Sequence, residues 1–197
     1  MGRRGSRLWL GTVEVRTFLT TGRDLLIPIE EAPKPRSWKR GRGGSVEIVV
    51  NGRAVVARET WDDIEWLWSS LARMIATLNG GSSYATELPY LDQAIDAGIA
   101  HQADDMVVLV CGHRDDRRRA VADKHTFFDA FTRAGLDAFD HLERLGGGRH
   151  AGGREALVDC RHGLYQNDWP AVRQRACTGS EAENETKAFF QVHRLAW

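Results

Sequence analysis

The sequence has little cysteine and no long apolar run. It contains 3 cysteines in 197 residues, and an odd, low count is not the disulfide framework of a small secreted protein. No window approaches the roughly 18 consecutive apolar residues that a transmembrane helix needs. Residues 1–10 carry arginines but lack an apolar run of signal-peptide length. We therefore expect a protein of the reducing cytoplasm with no membrane-spanning segment.

A net charge is also lacking, because 27 basic residues balance 27 acidic ones. Proteins that coat long nucleic acid usually carry a clear basic excess, so that class is disfavoured, although a local basic patch is compatible with the balance. Hydrophobic residues make up 42% of the chain, which is typical of a globular protein. The abundance of Arg, Ala and Gly indicates a GC-rich bacterial genome and says nothing about function.

The motifs of nucleotide, acyl-transfer and zinc-protease chemistry are missing from the sequence. It has no Walker loop, no Gly-x-Gly-x-x-Gly, no Gly-x-Ser-x-Gly and no His-Glu-x-x-His. Two Cys-x-His pairs, Cys111 with His113 and Cys160 with His162, are spaced too closely for most structural zinc sites. We expect no metal and no cofactor, and the sequence assigns no catalytic residue.

What the sequence does contain is a hairpin followed by a helix. Two β-branched runs in 46–58 flank Asn51-Gly52, which predicts a type I′ turn with Ile48 opposite Val55 and Val46 opposite Ala57. Residues 60–79 then predict a helix capped by Thr60, with Trp61 and Trp68 on its apolar stripe.

The same order recurs later in the chain. A buried strand is predicted at 106–111, its return at 118–123 and a helix at 126–145, opened by Thr126. We interpret the recurrence as an internal duplication, in which both hairpins share one sheet and both helices pack on the same face. The groove between the two helices is then the expected place for a ligand or partner.

The predicted fold class is α+β: a mostly antiparallel sheet built from two hairpin-helix units with both helices on one face, plus a C-terminal helical appendage. Strands are expected at 12–19 and 94–101, residues 82–93 are expected to be irregular, and Pro28 restricts 24–30 to an edge strand. Residues 1–145 form the predicted main domain, 146–153 a Gly-rich linker, and 154–197 a mostly helical appendage packed on the main domain.

The most unusual local composition is a basic loop. It follows Pro33 and combines five cations with one indole, which we take as the candidate partner-binding residues: Lys34, Arg36, Trp38, Lys39, Arg40 and Arg42. Arginine and tryptophan are the residues most enriched at binding hot spots. A solvated loop with no binding role is the simplest alternative interpretation.

These features favour a small protein that acts by binding another protein, such as an immunity or antitoxin-type inhibitor or an accessory subunit. Two other classes stay open. One is an enzyme with a site near Cys111 and His113, where Asp115 supplies a further polar group. The other is a nucleic-acid-binding module that uses the loop from Lys34 to Arg42, whose cations would hold phosphates while Trp38 stacks on a base. The partner's identity and the oligomeric state are not encoded in any motif.

Overall fold

The computed structural model describes residues 11–21, 25–35, 42–80, 85–90, 93–102, 105–113, 116–147 and 151–165. Its helices and strands, in chain order, are β1 (Val13–Thr20), β2 (Leu26–Pro28), a 3-10 helix (Ile29–Glu31), β3 (Gly43–Val50), β4 (Arg53–Val56), β5 (Trp61–Asp63), α1 (Ile64–Asn79), β6 (Ala85–Pro89), β7 (Asp96–Gln102), β8 (Met106–His113), β9 (Asp116–Asp123), α2 (Lys124–Arg144) and α3 (Ala151–Tyr165). The class is α+β, as predicted, and the described strands pair antiparallel throughout. Residues 166–197, most of the predicted helical appendage, lie outside the described residues.

The strands form two sheets, and the prediction that both hairpins join one sheet is wrong. One sheet has the order β2-β1-β3-β4 with β5 also paired to β3, and the other has the order β6-β7-β8-β9. The physical reason is that the strands of each hairpin pair with other strands from the same half of the chain. The hairpin β8-β9 is extended by β7 and by β6, and β6 lies in the stretch that was predicted to be irregular.

The first hairpin has the predicted turn but a different register. Asn51 and Gly52 have φ of 53° and 75°, as a type I′ turn requires. Beyond the turn a β-bulge shifts the pairing, so that Ile48 lies opposite Val56 instead of Val55. A bulge inserts one unpaired residue into one strand, and a turn signal alone gives no indication of it.

Both helices start at an aspartate, not at the predicted threonines. The side chain of Asp63 accepts a hydrogen bond from Trp66 N at 2.8 Å, and Asp123 accepts one from Thr126 N at 2.8 Å. Trp61 remains in an extended strand paired with β3 and is 42% exposed, so its predicted place in the core is wrong. Because the two hairpins also belong to different sheets, the predicted duplication is wrong.

One hydrophobic core joins the two sheets and all three helices. α1 packs against β3, β5 and β6, whereas α2 packs against β1, β8 and β9, so each helix contacts both sheets. Trp68 of α1 is fully buried, with Phe131 and Phe139 of α2 at ring-centroid distances of 5.4 and 6.3 Å. Burying large aromatic side chains in this way supplies much of the stability of a core.

The predicted groove between α1 and α2 is filled by α3. Leu157 of α3 is fully buried, and a Cβ on Gly135 of α2 would stand 2.4 Å from its Cδ1. α3 begins at Ala151, so the last three residues of the predicted Gly-rich linker lie in a helix. Gly153 packs against Phe139 and Ser69, which indicates that this glycine permits close packing. The division of the chain into domains stays a prediction.

Candidate functional site

The basic loop singled out in the sequence lies mostly outside the described residues. Lys34 is exposed, Arg42 is half-buried, and residues 36–40 are not described. The carbonyl of Arg42 accepts a hydrogen bond from Ile64 N at 3.0 Å, which joins the end of the loop to the start of α1. Burial lowers the pKa of the Arg42 guanidinium. The binding role of the six loop residues stays a prediction.

Cys111, the centre of the alternative enzymatic site, is a core residue. Its side chain is 2% exposed, and burial raises the pKa of its thiol to about 12, with Arg118 opposing and Asp96 adding to this effect. A reactive cysteine needs a lowered pKa, because the thiolate is the nucleophile. His113 is exposed at the end of β8, and Asp115 lies outside the described residues. The environment of Cys111 is that of a small apolar residue.

Cys160 is buried as well, in α3, and burial raises the pKa of its thiol to about 11, against the effect of a hydrogen bond with Asn79. Within the described ranges, no three His, Cys, Asp or Glu side chains come together as a metal site would require. Cys177 lies beyond residue 165, where the description ends. The expectation that the chain binds no metal stays a prediction.

The structure instead shows a cleft of about 1780 Å³ between β1 and α2. Its first wall combines residues of β1 with Pro28, Ile29 and Glu30. The second wall is one side of α2, from Thr126 to His141, and the charged groups Glu47, Arg58, Asp105 and Asp123 complete the lining. Of the basic loop's described residues, neither Lys34 nor Arg42 belongs to this lining, and neither described cysteine does.

Hydrogen bonds at the two ends of β1 show which way its backbone points. Asn51 N donates to Thr12 O at 2.9 Å on the β3 side, and Thr21 N donates to Leu25 O at 2.8 Å on the β2 side. In an antiparallel strand the N–H and C=O groups of one residue point to the same edge, and successive residues alternate. The backbone groups of Val13 and Val15 therefore point away from β3, toward the outer edge of β1.

Within the part of the chain that the structure describes, that outer edge is open along the cleft because β2 is short. β2 pairs with β1 only from Phe18 to Thr20 and ends at Pro28. Of the strands that the structure describes, none pairs with the outer edge at Val13 or Val15. Both valines line the cleft, and their side chains are half-buried against the core. Among the described residues, the outward backbone donors and acceptors of both valines have no partner, and they lie beside apolar surface.

The α2 wall presents a stripe of small and charged residues. Ala130 and Ala134 alternate with Asp129, Arg133 and Asp137 at helical spacing, while the phenylalanines of α2 face the core. Arg133 and Asp129 form an ion pair. Arg133 and Asp137 are exposed, whereas Asp129 and the two alanines are half-buried.

Negative charge exceeds positive charge in the cleft. Counted over the described residues, the lining has six carboxylates, from Glu30, Glu47, Asp105, Asp123, Asp129 and Asp137, and three guanidinium groups, from Arg16, Arg58 and Arg133. Arg16 forms ion pairs with Glu14 and Glu47, and Arg58 donates to Leu26 O and lies 4.3 Å from the Phe18 ring centroid. The arginines are therefore engaged, and the excess charge in the cleft is acidic.

Sequence reasoning did not find this cleft, although part of its signal was visible. Pro28 correctly predicted an edge strand, but how early β2 ends was not readable. The charged stripe on α2 looks like any solvated helix face until β1 is known to lie beside it. Comparison with protein-family models, curated proteins and solved structures gave no match to this chain.

Proposed function

We propose that this protein acts by binding another protein, as an inhibitor or accessory subunit would, and that the cleft between β1 and α2 is where the partner docks. The observation that carries the proposal is the outer edge of β1 at Val13 and Val15, which lines the cleft and pairs with none of the described strands. Unpaired strand edges are recurrent docking sites for extended protein segments. Natural proteins usually cover a strand edge that binds nothing, or protect it with charged residues, proline or a β-bulge.

The size and charge of the cleft favour a polypeptide over other ligands. Small-molecule sites usually measure about 300–1,000 Å³ and enclose the ligand, whereas this cleft is larger and open along one strand. The described part of the lining, with six carboxylates and three arginines, repels phosphate groups, so a nucleic acid is a poor occupant of the cleft. The hypothesis that the loop from Lys34 to Arg42 binds nucleic acid is independent of what binds in the cleft.

Site-specific photo-crosslinking in the native host tests this proposal. A photoreactive residue replaces Ala134 in the α2 wall, and a matched one replaces Glu155, an exposed residue of α3 outside the cleft lining. We expect a discrete adduct with another protein at position 134 and none at position 155, and we expect Asp137→Lys to reduce the adduct at 134. Identical adducts at both positions, or no adduct at 134, would rule out the cleft as the docking site.

A further inference from the structure

We infer that the cleft recognises an extended segment rich in lysine or arginine, which adds to the sheet as a new strand on the outer edge of β1. This inference rests on the proposed function and specifies the chemistry of the partner. Two independent observations support the inference: the direction of the β1 backbone and the charge of the two cleft walls.

The first observation is that no described residue pairs with the outward backbone groups of β1 at Val13 and Val15. Val13 and Val15 each direct one N–H and one C=O to the outer edge, which gives four possible hydrogen bonds to an incoming strand. Strand addition uses such main-chain bonds for affinity and the flanking side-chain surfaces for specificity. Since β2 occupies the edge from Phe18 onward, the incoming segment pairs over about five residues, or roughly 16 Å of strand.

Side chains on the two faces of the added strand meet different surroundings. The side chains of Val13 and Val15 lie on the face that packs against the core, and Ala130 and Ala134 line the cleft nearby. Residues of the segment that point to this face meet small, apolar surface. Arg16 and Glu47 form an ion pair on the opposite face of the sheet, so residues that point there meet charged groups.

The second observation is the negative charge that remains in the cleft after its own side chains have formed ion pairs. Within the described part of the chain, neither Glu30 nor Asp137 has a salt bridge to a lysine or arginine. Both carboxylates line the cleft, Glu30 in the wall that includes β1 and Asp137 in the α2 wall. A lysine- or arginine-rich segment neutralises them, whereas an acidic segment adds to the repulsion. Complementary charge of this kind selects partners and raises the association rate.

The test uses synthetic decapeptides and the full chain. The first peptide alternates valine and lysine, and a second alternates valine and glutamate. Two further peptides carry N-methyl groups on every valine or on every lysine of the first, which removes the amide donors of one strand edge at a time. Binding is measured by titration calorimetry and by the chemical shifts of the Val13 and Val15 amides.

We expect the valine–lysine peptide to bind with a dissociation constant of about 0.1 mM and the glutamate peptide not to bind. One N-methylated peptide should bind about tenfold or more weakly, and the other like the parent, because only one edge faces β1. The double variant Glu30→Gln, Asp137→Asn should weaken binding about three- to tenfold, as expected for two exposed ion pairs. The matched Glu155→Gln variant removes an exposed carboxylate elsewhere and should leave binding unchanged.

The outcomes separate this inference from the proposed function. Equal binding of both N-methylated peptides would overturn strand addition, and equal binding of the glutamate peptide would overturn the basic segment. Absence of binding at 1 mM peptide would overturn the whole inference. In each of these cases a specific crosslink at position 134 would still support a protein partner in the cleft, and its absence would remove the proposed function as well.

Discussion

The indole Nε1 of Trp68 donates a hydrogen bond to Oγ1 of Thr17 over 3.1 Å, inside the core. The bond joins α1 to β1, and Thr17 also belongs to the lining of the cleft. The strand that forms one wall of the candidate site is therefore held by the most buried tryptophan among the described residues.

Replacing Trp68 with Phe should destabilise the protein by about 1–3 kcal/mol. The variant leaves the Thr17 hydroxyl without its donor and leaves unfilled volume beside Phe131. Trp66, half-buried on the same helix, is the matched control, and Trp66→Phe should cost under about 1 kcal/mol. Urea denaturation measures both, and equal losses in the two variants would contradict the role given to the Trp68–Thr17 bond.

Two glycines in helices should respond to alanine in opposite directions. A Cβ on Gly135 would lie 2.4 Å from Leu157 Cδ1 and 2.8 Å from Trp68 Cζ3, whereas a Cβ on Gly152 has no neighbour within 4 Å. Overpacking costs about 1–3 kcal/mol, and the gain in helix propensity from glycine to alanine is at most about 1 kcal/mol.

We therefore expect Gly135→Ala to lower the melting temperature and Gly152→Ala to keep or raise it. Thermal unfolding followed by circular dichroism is the measurement. If Gly135→Ala were as stable as the wild type, α3 would not pack closely against α2 at this point.

His101 should make the protein less stable in mild acid. Burial lowers the pKa of its imidazole; the hydrogen bond between Nε2 and Leu78 O raises the pKa, the Lys124 ammonium lowers it and Asp105 raises it. A histidine whose folded pKa lies below its unfolded value of about 6.5 binds its proton more readily when the chain is unfolded. Its contribution to stability is therefore complete above pH 6.5 and is lost as the pH falls toward the folded pKa.

The measurement compares the free energy of unfolding at pH 7.5 and pH 5 in the wild type and in His101→Gln. We expect the loss of stability between these pH values to be smaller in the variant, because glutamine does not titrate. The same loss in both proteins would show that His101 does not carry this pH dependence.

Cys111 should be inert toward alkylation in the folded protein. Burial raises the pKa of its thiol to about 12, so little thiolate is present at pH 8 and the sulfur is not accessible. Iodoacetamide labelling followed by peptide mass spectrometry should modify Cys111 in urea and not in native buffer. Rapid native labelling of Cys111 would revive the enzymatic alternative that includes His113.

The elements that follow from local chemistry were predictable from the sequence. The Asn51-Gly52 turn, the buried strand β8 and the two long helices are specified by positive φ, apolar runs and helical periodicity, and they were predicted correctly. Trp61 was misassigned because its helical spacing from Trp68 competes with pairing to β3, which is a contact between distant parts of the chain. The helical glycines of α3 looked like a linker, because composition does not show that Gly153 packs against Phe139.

The candidate cleft was less predictable than the fold. It depends on where β2 stops and on the placement of α2 beside β1, and both are tertiary facts. None of the described helices has the length and hydrophobicity needed to span a membrane. The cytoplasmic location remains a prediction.

Residue-resolved hydrogen exchange along β1 tests the central claim most directly. In the free protein we expect the amides of Glu14 and Arg16, which point to β3, to exchange slowly, and those of Val13 and Val15, which point to the outer edge, to exchange fast. With the valine–lysine peptide bound, Val13 and Val15 should become as protected as their neighbours. Slow exchange of Val13 and Val15 in the free protein would show that the edge is already paired, and this would contradict the account.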